Sequence, residues 1–371
     1  MVKTILFIYG TRPEAIKMAP LIKEFKKHPD KFTVKICLTG QHRQMLDQIN
    51  TFFGITGDYD LNLMSPNQTL FDITTRCLMG LKEVLETVKP SLVFVQGDTT
   101  SVMAGALAAF YQQIPVAHLE AGLRSGSKFS PYPEEINRII TGHIADYHFA
   151  PTRRAVENLK KENITKNVYM VGNTVIDALY LGLQIIKSDD EQKYRQFFSY
   201  LDLSKKIILV TGHRRESFGG GFENICKAIS YVAKEYHGIQ FVYPMHFNPN
   251  VREPVNRFLR GINNVFLIEP LDYPYLLWLM EKCFFVLTDS GGIQEEAPAL
   301  GKPVLVMRDV TERQEGVEAG TAKLVGTDYT ALVSGMRELL EDTMVYAGMA
   351  NAVNPYGDGT TSKQIAKILD A

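Results

Sequence analysis

The chain has 371 residues, of which 45% are hydrophobic and 22% charged, and its formal net charge is −1. That length exceeds what one hydrophobic core usually organises, so two domains of an ordinary soluble globular protein are expected. The near-neutral balance argues against a nucleic-acid binder, and any anion site has to come from a local cluster.

Met1-Val2-Lys3 leads directly into an apolar strand, without the h-region or cleavage site of a signal peptide. No apolar run approaches the length of a membrane span, so no membrane partner and a cytoplasmic location are expected. Residues 4–9 are a continuous β-type run, and Gly10-Thr11-Arg12-Pro13-Glu14 turns it into a helix over 15–27, with Pro13 suited to a first helical turn. Ile16, Ala19, Leu21, Ile22 and Phe25 recur at close to a 3.6 period, and Lys17 is near enough to the turn to face it. A strand at 34–38 and a turn at Gly40-Gln41-His42-Arg43 precede a helix ending near Phe53. A long amphipathic helix spans 70–88, and a strand at 92–96 ends in Gly97-Asp98-Thr99-Thr100 before a small-residue helix over 101–111. The strand at 115–119 ends in Glu120-Ala121-Gly122-Leu123-Arg124, and Pro131-Tyr132-Pro133-Glu134-Glu135 opens a helix carrying Arg138. Strands at 147–150 and 168–171 complete the first half.

A second round follows Gly172-Asn173-Thr174. Helices at 175–186 and beyond a polar segment at 188–194 lead to a strand at 206–210, which ends in Thr211-Gly212-His213-Arg214-Arg215-Glu216. Gly219-Gly220-Gly221 opens the next helix, and strands follow at 240–243, 265–268, 284–288 and 303–307. A last helix, 360–369, comes after the breaker run Asn354–Gly359. This βα alternation with apolar, non-alternating strands indicates parallel sheets covered on both faces. The expected fold class is α/β, two Rossmann-like domains facing across a cleft, divided near residue 172 into 1–172 and 173–354, with 355–371 packing back on the first. Cys37, Cys77, Cys226 and Cys283 are scattered without a CxxC pair, so buried free thiols are expected and a metal site is not.

The stretch FFVLTDSGGIQEEAPALG (284–301) holds the clearest ligand signal. Its two glycines permit left-handed φ and let a phosphate approach the backbone, while the first N–H groups of the following helix point at an anion. Glu295 and Glu296 suit such a site only where one of them accepts from a ribose diol. The alternative is an ordinary strand-to-helix turn.

Ligands of open parallel sheets sit beyond the carboxyl ends of the strands. The polar residues there are Arg12, Asp98, Glu120, His213, His246, Ser290 and Gly291. The first half brings carboxylates (Asp98, Glu120, Glu134, Glu135), the second a phosphate turn, histidines and arginines. That division suits a nucleotide sugar, with the diphosphate held by the second domain and the sugar worked on by the first. The plain readings are a helix cap for Asp98, first-turn dipole residues for Glu134 and Glu135, and an i,i+4 partner of Glu134 for Arg138. Neither G-x-G-x-x-G nor a P-loop occurs in a βα turn, which speaks against a dinucleotide enzyme, so no cofactor is expected.

The runs GTRPEAIKMAP (10–20), GDTTS (97–101), HLEAGLRS (118–125), PEEINR (133–138), GHRRES (212–217), DSGGIQEEAP (289–298) and NPYGDG (354–359) resemble the non-hydrolysing UDP-N-acetylglucosamine 2-epimerases, in order and over nearly the whole chain. The resemblance implies a glycosyltransferase-B-like fold, a cytoplasmic homodimer that supplies surface polysaccharide pathways, and interconversion of UDP-GlcNAc and UDP-ManNAc. It implies anti elimination of UDP to 2-acetamidoglucal and re-addition, with acid/base groups among Asp98, Glu120 and Glu134. Lys17 and Arg138 then orient or pair with the acids. Arg12, His213, Ser290, Gly291, Gly292 and Arg313 stabilise UDP, Glu296 takes the ribose hydroxyls, and uracil lies against 266–271, from Phe266 to Leu271. A second UDP-GlcNAc as activator is implied at Gln41, Gln44, Arg214 and His246. Some relatives carry an arginine near Asn67 that this chain lacks, which bears on the strength of activation. The rivals are a glycosyltransferase of the same fold, a hydrolysing epimerase, an epimerase of a modified UDP-GlcNAc, and a binding module without turnover.

Overall fold

The computed structural model describes residues 2–40, 43–65 and 67–370, the side chains of Arg43 and Asp189 excepted. The first sheet comprises β1 (Lys3–Tyr9), β2 (Phe32–Leu38), β3 (Tyr59–Asp60), β4 (Leu92–Gln96), β5 (Val116–Leu119), β6 (Tyr147–Ala150) and β7 (Val168–Met170). These pair in the order β3-β2-β1-β4-β5-β6-β7, every pair parallel. The central strands are apolar on both faces because helices cover both. On one face Phe7 stacks on Phe94 (5.1 Å between centroids) and Phe94 on Phe149 (5.9 Å). On the other, Leu6, Ile8, Val93 and Val95 meet Cys77, Leu81 and Ala104.

The second sheet comprises β8 (Lys206–Thr211), β9 (Ile239–Pro244), β10 (Val265–Ile268), β11 (Phe285–Thr288), β12 (Val304–Val306) and β13 (Ala322–Leu324). Its order is β10-β9-β8-β11-β12-β13, again all parallel. Phe222, Ile229, Phe241, Leu287, Met307 and Met336 lie in its core. Two Rossmann-like α/β units are thus present, as the strand pattern led one to expect.

By contact the units are 1–181 with 356–371, and 182–355, so the division falls inside the Thr174–Asp189 helix, beyond the Gly172 turn. The C-terminal helix, Thr361–Asp370, is held in the first unit: Ser362 N donates to Asp177 Oδ1 (2.7 Å), Thr361 Oγ1 to the Val171 carbonyl (2.8 Å) and Lys3 Nζ to the Leu369 carbonyl (2.7 Å). Gly172, at φ +88°, lies directly against the returning C-terminal segment. A Cβ there would lie 2.8 Å from Thr361 Oγ1 and 3.1 Å from the Tyr356 carbonyl, so only glycine fits.

Elements that the sequence reading passes over include β3, β13 and the helices Arg153–Lys161, Pro249–Leu259, Tyr273–Lys282, Gln314–Glu318, Tyr329–Glu341 and Thr343–Ala350. The strands are two and three residues long. The helix RRAVENLKK buries only Ala155 and Leu159, too few apolar positions to show a period.

Candidate functional site

In the first unit the turn after β4 carries Asp98. The following helix is capped by Thr99, whose Oγ1 accepts from Val102 N (3.3 Å), so Asp98 is not the cap. Its Oδ2 lies 2.9 Å from Arg138 Nη2. Arg138 therefore does not serve as the expected side-chain partner of Glu134; its Nε faces the Glu134 carbonyl (3.3 Å) and Glu135 Oε2 (3.5 Å). Glu135 is occupied elsewhere, accepting from Ser125 N (3.0 Å) and Gly126 N (3.0 Å). Burial raises the Asp98 pKa, Arg138 opposes that, and the neighbouring charges of Glu120 and Glu134 add to the rise. About a third of the Asp98 side chain remains exposed (33%).

The turn itself is gripped residue by residue. His118 Nε2 meets the Gly97 carbonyl (2.8 Å), Asn137 Nδ2 donates to the Asp98 carbonyl (3.0 Å), and Thr99 Oγ1 donates to Glu14 Oε1 (2.6 Å). The other oxygen of Glu14 accepts from Gly10 N (2.6 Å) and Thr11 N (3.0 Å). One buried carboxylate thereby ties the turn that leads to Arg12 to the turn that carries Asp98. Burial raises the pKa of Glu14 against these three hydrogen bonds, which favour its charged form.

Glu120 follows β5 with φ +65°, a left-handed backbone that is uncommon outside glycine and that clusters at functional sites. It is 8% exposed. Its Oε2 takes Lys17 Nζ at 2.5 Å and Gln96 Nε2, and Oε1 faces Asn173 Nδ2 at 3.5 Å. Glu134, in the first turn of its helix, has a buried Oε2 with no hydrogen-bond partner among the described residues. The first unit therefore assembles three carboxylates at strand and helix ends, two of them held by cations, an arrangement able to accept and return protons.

In the second unit β11 runs into Asp289-Ser290, and Ser290 is the N-cap residue of the Gly291–Ala299 helix. Neither Gly291 nor Gly292 is among the residues with positive φ, so the left-handed freedom that the glycines permit is not used. The glycines serve closeness instead: a Cβ on Gly291 would lie 3.4 Å from Arg313 Cζ. Arg313 is anchored by Glu295, Nε to Oε1 at 2.7 Å. Glu296, 6% exposed, accepts from the Tyr273 hydroxyl at 3.0 Å. A helix start without Cβ atoms, beside an arginine, is suited to a phosphate.

After β8, Asp289 Oδ2 accepts from His213 N (2.7 Å) and Arg214 N (2.8 Å). The His213 ring lies parallel to that of His246, 5.4 Å apart at 17°. Burial, with the nearby charges of His213 and Arg252, lowers the pKa of His246, whose Nδ1 accepts from Asn248 N (3.1 Å). Arg308 joins Glu216 (2.6 Å) and Glu312 (2.8 Å), tying the histidine loop to the segment leading to Arg313. Phe266 packs on Tyr200 (5.3 Å), and Leu271 is half-buried in the turn after β10. Gln44 is exposed on the Arg43–Phe53 helix, and Gln41 lies outside the described residues.

The first unit thus brings Asp98, Glu120, Lys17 and Arg138 together, and the second brings Gly291 to Arg313 and His213 to His246 and Asp289. Glu14, Gln96, His118, Asn137, Asn173, Tyr273 and Asp289 escape sequence reasoning. Asp289 and Glu14 had a signal, since each is an acid in or beside a turn that ends an apolar strand. Among the described residues no group of His, Cys, Asp and Glu side chains could hold a metal ion, and no helix is long and apolar enough to cross a membrane. The four cysteines are free and buried, and burial pushes the Cys37, Cys226 and Cys283 thiols up to about 12.

Comparison with known proteins adds three observations. The family model described as UDP-N-acetylglucosamine 2-epimerase matches residues 23–370. The proteins named UDP-N-acetylglucosamine 2-epimerase from Salmonella typhimurium and from Escherichia coli K12 are each 54% identical over 368 residues, covering 98% of both chains. The crystal structure of UDP-GlcNAc 2-epimerase from Neisseria meningitidis bound to UDP-GlcNAc superposes with a TM-score of 0.91 at 50% identity, covering 99% of both chains.

Proposed function

The chain belongs to the UDP-N-acetylglucosamine 2-epimerase family, and from that premise we propose that it interconverts UDP-GlcNAc and UDP-ManNAc by expelling UDP and adding it back. Its C-terminal unit is then the UDP-binding domain and its N-terminal unit the acid/base domain. The fold is glycosyltransferase-B-like.

The chemistry explains why these residue types are needed. The hydrogen on C2 is not next to a carbonyl and is barely acidic, so direct abstraction is very slow. Breaking the C1–O bond, with its electron pair leaving on UDP, builds positive character at C1 and acidifies C2–H. A carboxylate takes that proton, C1 and C2 become doubly bonded, and 2-acetamidoglucal and UDP result. Return of a proton to the opposite face of C2, with UDP oxygen rejoining C1, gives the epimer. There is no net redox change and nothing for a hydride carrier to do.

The two acid/base groups, one for each face of C2, lie among Asp98, Glu120 and Glu134. Lys17 and Arg138 orient two of them. Arg12, His213, Ser290, Gly291, Gly292 and Arg313 stabilise the departing diphosphate, Glu296 accepts from the ribose, and Phe266 and Leu271 border uracil. The observation that carries the reading is the pair of carboxylate–cation contacts, Asp98 with Arg138 and Glu120 with Lys17, beside the unpartnered Glu134 oxygen. The proposal extends to a homodimer working in the cytoplasm and to a second UDP-GlcNAc acting as activator through Gln41, Gln44, Arg214 and His246.

The test is incubation with UDP-GlcNAc in D₂O without nicotinamide, followed by NMR. UDP-ManNAc with deuterium at C2 is expected, with traces of UDP and glycal. Unlabelled product, or free ManNAc as the main product, would overturn the mechanism.

A further inference from the structure

We propose that Asp289 is the positioning residue of His213, fixing its tautomer and ring orientation; this rests on the reading that His213 meets the departing diphosphate. Asp289 is 2% exposed and divides its oxygens between two tasks. Oδ2 holds the loop, taking the backbone N–H groups of His213 and Arg214. Oδ1 is buried without a hydrogen bond among the described residues and faces His213 Nδ1 at 3.5 Å, within ion-pair distance. A buried carboxylate oxygen left unsatisfied is costly, and a small rotation of the imidazole satisfies it.

The loop-holding role needs one oxygen only. The second oxygen fixes chemistry. In the neutral ring the proton sits on Nδ1 toward the carboxylate, which leaves Nε2 as the nitrogen free for a ligand. Once the ring is protonated, Nε2 donates to phosphate oxygen while Asp289 balances the charge on the far side. His246, stacked on the ring, fixes its plane. Its own Nδ1 accepts a backbone N–H, so it does so as a neutral ring.

Asp289→Asn separates the two tasks. The amide oxygen still takes both backbone N–H groups, while its NH₂ now faces Nδ1 and forces the opposite tautomer. The expected result is a fall in kcat of about 10²-fold or more, with the thermal midpoint little changed. In a His213→Asn background the same substitution should cost less than about twofold, because the group it acts through is gone. ¹⁵N NMR of the unmodified protein should show His213 protonated on Nδ1, a measurement that does not depend on any variant folding. A proton on Nε2 with Nδ1 bare, or an equal loss in both backgrounds, overturns the assignment of Asp289. A wild-type rate for His213→Asn instead overturns the role of His213 in the proposed reaction, so the two failures are told apart.

Discussion

Arg138 Nη2 lies 2.9 Å from Asp98 Oδ2, and the two come from different elements, the turn after β4 and the helix that begins at Glu134. The pair sets Asp98 between opposing influences. Burial and the neighbouring carboxylates raise its pKa, and the guanidinium lowers it. Removing the guanidinium lets the first influence win.

Arg138→Leu should therefore raise the Asp98 pKa further. If the reaction needs Asp98 ionised, the acid limb of the pH–rate profile moves to higher pH and the neutral rate falls about tenfold or more. Asp98→Asn removes the proton acceptor altogether, should cost about 10²-fold or more in kcat, and should leave UDP affinity nearly unchanged. A pH profile for Arg138→Leu superimposable on the wild type's would contradict the pairing's role.

Lys17 and Glu120 make a stability prediction as well as a catalytic one. Both side chains are largely buried, at 13% and 5% exposure, with their charged atoms 2.5 Å apart. Lys17→Met leaves Glu120 without its cation and should cost about 3 kcal/mol of unfolding free energy. Adding Glu120→Gln should restore most of that stability but no turnover. Denaturant titrations of the single and double variants, set beside their rates, check both halves of the expectation.

How far the sequence carries can be judged from these same residues. Strands with continuous apolar runs, such as 92–96 and 285–288, announce two parallel sheets because burial on both faces removes the alternation. The carboxyl-end rule then points to Asp98, Glu120 and the Ser290-Gly291-Gly292 start. Pairings are another matter. Arg138 sits four residues after Glu134 and spacing suggests they meet, yet Arg138 reaches Asp98 across the unit while Glu135 brackets the 125–126 backbone. Glu14 reads as a first-turn acid, and only tertiary structure shows it joining its own turn to Thr99, 85 positions away. Contacts of that kind depend on where strand ends fall in space, which local pattern does not encode. The left-handed freedom that Gly291 and Gly292 permit goes unused, and what the glycines leave there is room beside Arg313.

Gly291→Ala tests that need for room. The backbone at Gly291 is helical and accepts alanine, so folding should be unaffected, or helped slightly by alanine's better helix propensity. The new methyl lies 3.4 Å from Arg313 Cζ and covers the helix start. Affinity for UDP should fall about tenfold, about 1.4 kcal/mol. Calorimetric titration with UDP checks it, and unchanged affinity would mean that phosphate does not approach there.

His118 supplies the pH dependence of stability. It is 1% exposed, and burial lowers its pKa to about 4, with the Gly97 carbonyl and the neighbouring His148 as lesser influences. The pKa of the folded state is thus depressed below an unfolded value of about 6.5. Above that value neither state binds the proton and the stabilisation is fully present. As pH falls from about 6.5 toward 4, the unfolded chain takes up a proton that the folded protein refuses, and about 3 kcal/mol is lost. His118→Gln keeps a donor for the Gly97 carbonyl and removes the titration. Its unfolding free energy should therefore rise relative to wild type by about that amount between pH 7 and pH 4, with His148 contributing equally to both proteins. Urea unfolding across this range measures the difference directly, and parallel curves would show that His118 is not held neutral by the fold.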